Sequence, residues 1–141
     1  MANKSDINFD VYAPGLSETV ATAIVAVDDT RLSHLLTLAL REAGVAVWET
    51  SDYNDIISAA DGDCRLYMVD VDIKSGNAIE LVRQLRDSDN TLDSAMVILS
   101  CHDNEVDAYD AGADMVLSKP ISVPLFMARI RSVMRRYKVI I

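Results

Sequence analysis

Beyond residue 20 the apolar positions fall into five short, unbroken runs, at 21–27, 45–48, 66–69, 95–99 and 115–117. None alternates with polar residues, and runs of this length without alternation fit strands covered on both faces, as in a parallel sheet. Between the runs the apolar spacing changes to three and four. Leu32, Leu35, Leu36, Ala39, Leu40 and Ala43 make one stripe, closed by Gly44 where a C-terminal cap belongs. Tyr53, Ile56, Ile57 and Ala60 make a second after the cap-like Ser51-Asp52, and Ala78, Leu81, Val82 and Leu85 make a third. A fourth segment, 103–111, is short and offers mainly Val106 and Tyr109; the fifth is carried by Phe126, Ile130, Val133, Met134 and Tyr137. Five strands alternating with five helices predict a (βα)5 chain. Right-handed crossovers turn it into a doubly wound α/β parallel sheet over residues 21–141. Residues 1–20, polar and broken by Pro14-Gly15, show neither period and read as an extension with the character of a mobile terminus.

Composition narrows the class further. With 141 residues, half of them apolar and a quarter charged, the chain suits one domain with a real core, which excludes disorder and fibrous repeats for most of its length. No apolar run approaches the roughly 20 residues that cross a bilayer, and MANKSDINFD lacks a signal-peptide core, so a soluble cytoplasmic protein without membrane contact is expected. Cys64 and Cys101 stand far apart with no CxxC partner, too little for a disulfide framework or structural zinc. The net charge of −9 is uneven: all 22 acids lie at or before Asp114, and only basic residues follow. An acidic body argues against direct nucleic-acid binding, and the basic end suits a helix terminus complementing its own dipole.

In a doubly wound sheet, ligands bind beyond the carboxyl ends of the strands. Strand 1 leads there to Asp28-Asp29, strand 3 to Asp70, strand 4 to Ser100, and strand 5 to Ser118-Lys119-Pro120. Converging carboxylates resist ionising together unless a cation compensates, and a hard ion such as Mg2+ takes one or two carboxylates while keeping waters or phosphate oxygens. One carboxylate can then attack a phosphoryl group, with Lys119 and the Ser100 hydroxyl as donors to its oxygens.

These residues resemble the receiver domain of two-component response regulators. AIVAVDDTRLSHLLTLALREAG is similar to its first strand, acidic pair and first helix, and LYMVDVDIKSGNAIELVRQLR to its phosphoacceptor strand, loop and third helix. MVILSCHDNEVDAYDAGADMVLSKPISVPLFMARIRSVMRR is similar to the remainder, with the AGAD and KP signatures; together the resemblance spans residues 22–136. It implies a flavodoxin-like, CheY-like sheet of order 2-1-3-4-5. It further implies that Asp70 accepts phosphate from a histidine kinase, a phosphotransfer protein or a small phosphodonor. Asp29 would ligate Mg2+ directly, Asp28 mainly through water, and Asp72 through its backbone carbonyl; Ser100 would move toward the phosphoryl group and Lys119 pair with it. A cis peptide before Pro120 would aim the lysine.

Departures from the pattern are Val116 where an aromatic switch residue is expected, Lys74 where proline is frequent, Ala78 where glycine is frequent, and Cys101 in place of a small alanine. About three residues are missing between Ser100 and AGAD. Two other function classes stay open. LYMVDVDIKSG also looks like the DxDx(T/V) motif of the haloacid-dehalogenase superfamily, with Asp70 as nucleophile and Asp72 as general acid. Val116 and the curtailed fourth helix allow an interaction module that works unphosphorylated. For single residues the bland readings are these: Asp28-Asp29 as a solvated strand end or a helix N-cap, Asp72 as an acid that faces solvent, His34 and His102 without metal, and Arg129 to Lys138 as a solvated face; against them stand a modest tuning of water attack by Asp72, His102 bordering the phosphorylation pocket, and partner docking on the basic face. An effector, attached or separate, is expected to receive the output.

Overall fold

The computed structural model describes residues 21–59, 63–101 and 104–141; the extension 1–20, Ala60 and His102 lie outside them. In chain order the elements are β1 (Thr22–Ala26), α1 (Thr30–Glu42), β2 (Ala46–Thr50), α2 (Tyr53–Ala59) and β3 (Leu66–Asp70). Then follow α3 (Ala78–Asp87), β4 (Ala95–Ser100), α4 (Glu105–Ala111), β5 (Met115–Ser118) and α5 (Val123–Arg136). All strand pairs are parallel and the order is β2-β1-β3-β4-β5. Four of the strands run on past their apolar stretch, to Thr50, Asp70, Ser100 and Ser118, because backbone pairing continues whatever the side chain.

Alternate residues of each strand feed opposite layers. Ala23, Val25, Leu66, Met68, Val97 and Leu99 pack with Leu36 and Leu40 of α1 and Phe126, Ile130 and Val133 of α5. In the other, lower layer Ile24, Ala26, Tyr67, Val69, Met96 and Ile98 pack with Ile56 of α2, Leu81, Val82 and Leu85 of α3 and Ala108 of α4. The absence of polar alternation thus has a direct cause: both faces of the sheet are covered.

The ends of the helices follow local rules. Asp29 and Asn77 cap α1 and α3 with their side chains. Gly44, at φ 87°, closes α1, a backbone conformation that side chains disfavour. Arg135 and Arg136 occupy the last turn of α5. Some stripe positions differ from the sequence reading. Leu35 is 44% exposed and Ile57 41%, being at the margins of their stripes. In α4 the expected anchors Val106 and Tyr109 face outward, at 72% and 46%, and the short helix instead buries Ala108 and Ala111, small residues against the lower layer. Among the described residues no helix is long and apolar enough to cross a membrane, and Cys64 and Cys101 are not in a disulfide.

At the amino end of the sheet, Asp114 of AGAD ties three elements together. It receives the Arg86 guanidinium at 2.8 Å, the Met96 N–H at 2.8 Å and the Tyr137 hydroxyl at 2.9 Å. Arg86 also donates to the carbonyls of Gly112, Leu92 and Ser94. Burial raises the Tyr137 hydroxyl above the ordinary tyrosine value, helped by the Asp114 hydrogen bond and charge. Asp114→Ala would strand the Met96 N–H and a half-buried guanidinium. A loss of about 2–3 kcal/mol is expected, measured as a lower urea midpoint with unchanged slope.

Candidate functional site

Strand register builds the site. Asp70 is opposite Leu99, Ser100 opposite Ser118, and Ala26 opposite Val69, so Asp70, Ser100 and Lys119 emerge side by side while Asp28 leaves the neighbouring strand. The Lys119 N–H donates to the Ser100 carbonyl at 3.0 Å, locking the last pair of strands up to the lysine itself. The Lys119–Pro120 peptide is cis.

Asp70 is 4% exposed. A carboxylate so placed requires a partner, and it has two: Lys119 Nζ lies 2.9 Å from both oxygens, and the Asp72 N–H donates to Oδ1 at 2.9 Å. Lys119 Nζ also reaches Asp72 Oδ2 at 3.1 Å, a side-chain contact that the sequence did not reveal. Burial pulls the Lys119 pKa down, but the hydrogen bonds and charges of Asp70 and Asp72 outweigh it, leaving the ammonium above the ordinary lysine value. The Cys101 thiol lies 3.8 Å from Asp72 Oδ2.

The acidic pair is divided. Asp29 caps α1, accepting at Oδ1 from Arg31 N–H at 3.0 Å and Leu32 N–H at 3.2 Å, so the bland N-cap reading of this residue holds for one oxygen. Asp28 Oδ2 accepts from the Lys74 N–H at 2.8 Å. A proline at 74 has no such N–H, so Lys74 gives Asp28 a partner that the frequent residue would withhold. The same loop is pinned further by Ser75, whose hydroxyl donates to the Ser51 carbonyl and accepts from the Tyr53 N–H. Gly76 lies against the Tyr53 ring, where an added Cβ would fall 2.1 Å from a ring carbon. Among the described residues no three acidic, His or Cys side chains already converge as a metal cage. The Asp70 and Asp72 carboxylates nonetheless share Lys119 Nζ, and a small hard cation that retains several waters needs only one or two carboxylates. The donor chemistry fits Mg2+.

Ser100 is 2% exposed, and its Oγ donates to Asn104 Oδ1 at 2.7 Å. Asn104 was missed by the sequence reading, which began the fourth helix at 103; the signal available was an N-cap residue type four positions after Ser100. Val116 is buried in the lower layer, and its N–H donates to the Tyr109 hydroxyl at 3.2 Å. His34 is an exposed neighbour of Glu49, at 3.8 Å, with no metal-ligating company among the described residues.

Residues 24–131 match the family model for the response regulator receiver domain. The chain belongs to this family. Among curated relatives it is 30% identical over 122 residues to the KDP operon transcriptional regulatory protein KdpE of Escherichia coli K12, covering 84% of this chain and 53% of that protein. It is 26% identical over 119 residues to the phosphate regulon transcriptional regulatory protein PhoB of Pseudomonas aeruginosa, covering 82% and 52%. The receiver thus spans about half the length of these relatives. Its fold is shared by a CheY-like receiver from Methanospirillum hungatei, with TM-score 0.77, 15% identity and coverage of 84% and 97%. The chemotaxis response regulator CheY4 of Vibrio cholerae superposes with TM-score 0.73 at 17% identity, covering 82% and 99%.

Because Lys119 in this receiver is raised, its stabilising contribution is complete below the ordinary value of 10.5 and is lost as pH climbs through the higher folded value. Lys119→Met should cost about 2–3 kcal/mol at pH 7, since it leaves the Asp70 charge buried. In urea melts the gap to wild type should stay constant from about pH 7 to 9 and narrow only above 10.5.

Proposed function

We propose that this receiver is a phosphorylation-operated signalling switch in which Asp70 is the phosphoacceptor. The observation that carries this reading is a buried carboxylate at the end of the central strand, engaged through both oxygens by Lys119 and flanked by the Ser100 strand end. An Asp70 oxygen attacks the phosphorus of a phosphohistidine on a sensor kinase or phosphotransfer protein. An O–P bond forms as the N–P bond breaks, and the imidazole leaves with a proton. Water later attacks the acyl phosphate, releasing inorganic phosphate and restoring the carboxylate.

Lys119 follows the phosphoryl oxygens, exchanging part of its contact with Asp70 for them, and Ser100 donates its hydroxyl to another. Asp28, Asp29 and Asp70, with the Asp72 backbone carbonyl, would hold Mg2+, which supplies positive charge opposite the transferred group. Two arrangements of the output surface then differ in their affinity for the phosphorylated site, and phosphorylation shifts their populations. The recipient is an effector, attached or separate. The acidic body keeps this segment itself from direct nucleic-acid contact, and the place of action is the cytoplasm.

The receiver promotes its own phosphotransfer and dephosphorylation without acting as a turnover enzyme. Hydrolase chemistry would need the Asp72 carboxyl free to reach a leaving group, whereas Lys119 Nζ engages it at 3.1 Å. Incubation with acetyl phosphate and Mg2+ should add one phosphoryl group by intact mass, lost in Asp70→Asn. Steady release of p-nitrophenol from p-nitrophenyl phosphate, or labelling that survives Asp70→Asn, would refute the switch.

A further inference from the structure

Ser100 ends β4, and four residues later Asn104 occupies the N-cap position of α4. An asparagine there ordinarily accepts from an N–H in the first turn, as Asn77 does for α3 through Glu80 N–H at 3.0 Å. Asn104 makes no such bond. Its Oδ1 is taken by the Ser100 hydroxyl at 2.7 Å. Its backbone is also wrong for capping: the side-chain caps Asp29 and Asn77 have ψ near 110° and 113°, whereas Asn104 has ψ 26°. The helix it fails to cap has only seven residues and buries just Ala108 and Ala111, so one cap is a large share of what orders its first turn.

Resting on the reading of Asp70 as phosphoacceptor and Ser100 as a phosphoryl donor group, we infer that Asn104 is the relay between the site and α4. A hydroxyl bond to a charged phosphoryl oxygen is stronger than one to a neutral amide, so phosphorylation draws Ser100 away from Asn104. The released Oδ1 accepts from the Val106 or Asp107 N–H once ψ turns to the extended value that Asp29 and Asn77 already hold. The first turn of α4 tightens. Tyr109, on the same helix and bonded to the Val116 N–H, carries that tightening to the edge strand β5, at the position where no aromatic side chain is present to turn. Asn104 is a positioning residue: it touches Ser100 and helix amides, never the reacting atoms.

The test uses the full chain with Mg2+ and beryllofluoride as phosphoryl mimic, reading adduct formation by fluorine NMR and solvent exchange of the Val106 and Asp107 amides by proton–nitrogen NMR. In wild type, adduct formation should slow exchange of at least one of these amides roughly fivefold, the size of one N-cap interaction. Asn104→Ala should form the adduct with resting exchange unchanged and no slowing, because the resting state has no cap to lose. Ser100→Ala should show slowed exchange without any mimic. If the adduct forms and exchange slows equally in Asn104→Ala, or if Ser100→Ala leaves resting exchange at the wild-type rate, the relay is overturned while the phosphoacceptor reading stands. If no adduct forms in wild type, that reading falls and the switching role of Asn104 with it.

Discussion

A single carboxylate held out of water organises the upper edge of this molecule. Asp70 must end the central strand, where two neighbouring strands and their loops shield it, and its charge is tolerable there only because an ammonium engages both oxygens. That requirement fixes the place of Lys119, which comes from the edge strand 49 residues away in sequence. The pairing is also provisional by nature. The ammonium is shared with Asp72, so it has a second anchor while one Asp70 oxygen is given up to another group.

The two ends of the sheet are built differently. At the amino end, Arg86, Asp114, Met96 and Tyr137 form a satisfied network of short bonds between α3, the strand starts and the end of α5. At the carboxyl end, the loop after β3 is fastened by Lys74, Ser75 and Gly76, and the start of α4 is joined to the end of β4 by the bond from the Ser100 hydroxyl to Asn104 Oδ1. The amino end thus ties helix and strand starts through a charged, half-buried network, whereas the link from β4 to α4 includes a neutral hydroxyl-to-amide bond, a weaker kind of contact.

Val116 stands where the receiver pattern leads one to expect an aromatic side chain, and its backbone is held from the neighbouring helix. The Tyr109 hydroxyl grips the backbone of the same strand position from the outside, by way of a helix whose start is tied to Ser100. Strand β5, helix α4 and the Ser100 strand end are thereby joined by two hydrogen bonds, Val116 N–H to the Tyr109 hydroxyl and the Ser100 hydroxyl to Asn104 Oδ1.

Much of the fold was legible in the chain because burial on both faces leaves a one-dimensional trace: unbroken apolar runs for strands, and spacings of three and four for helices. Asp70, Ser100 and Lys119 could be picked out because strand ends are where such a sheet presents chemistry. Periodicity could not say which margin residues are covered, so Leu35 and Val106 were read as anchors and proved exposed; that depends on how closely each helix approaches the sheet. Nor could it give the partners of each polar atom. The Lys119–Asp72 pair, the Lys74 N–H on Asp28 and the Ser100 hydroxyl on Asn104 depend on register, loop path and rotamer, which only packing in three dimensions selects. Sequence alone determined which elements form and which acids, hydroxyl and amine reach a common edge, since these follow from local periodicity and strand direction; the tertiary structure decided which atoms bind which, because hydrogen bonds are settled within tenths of an ångström and no pattern along the chain has that resolution.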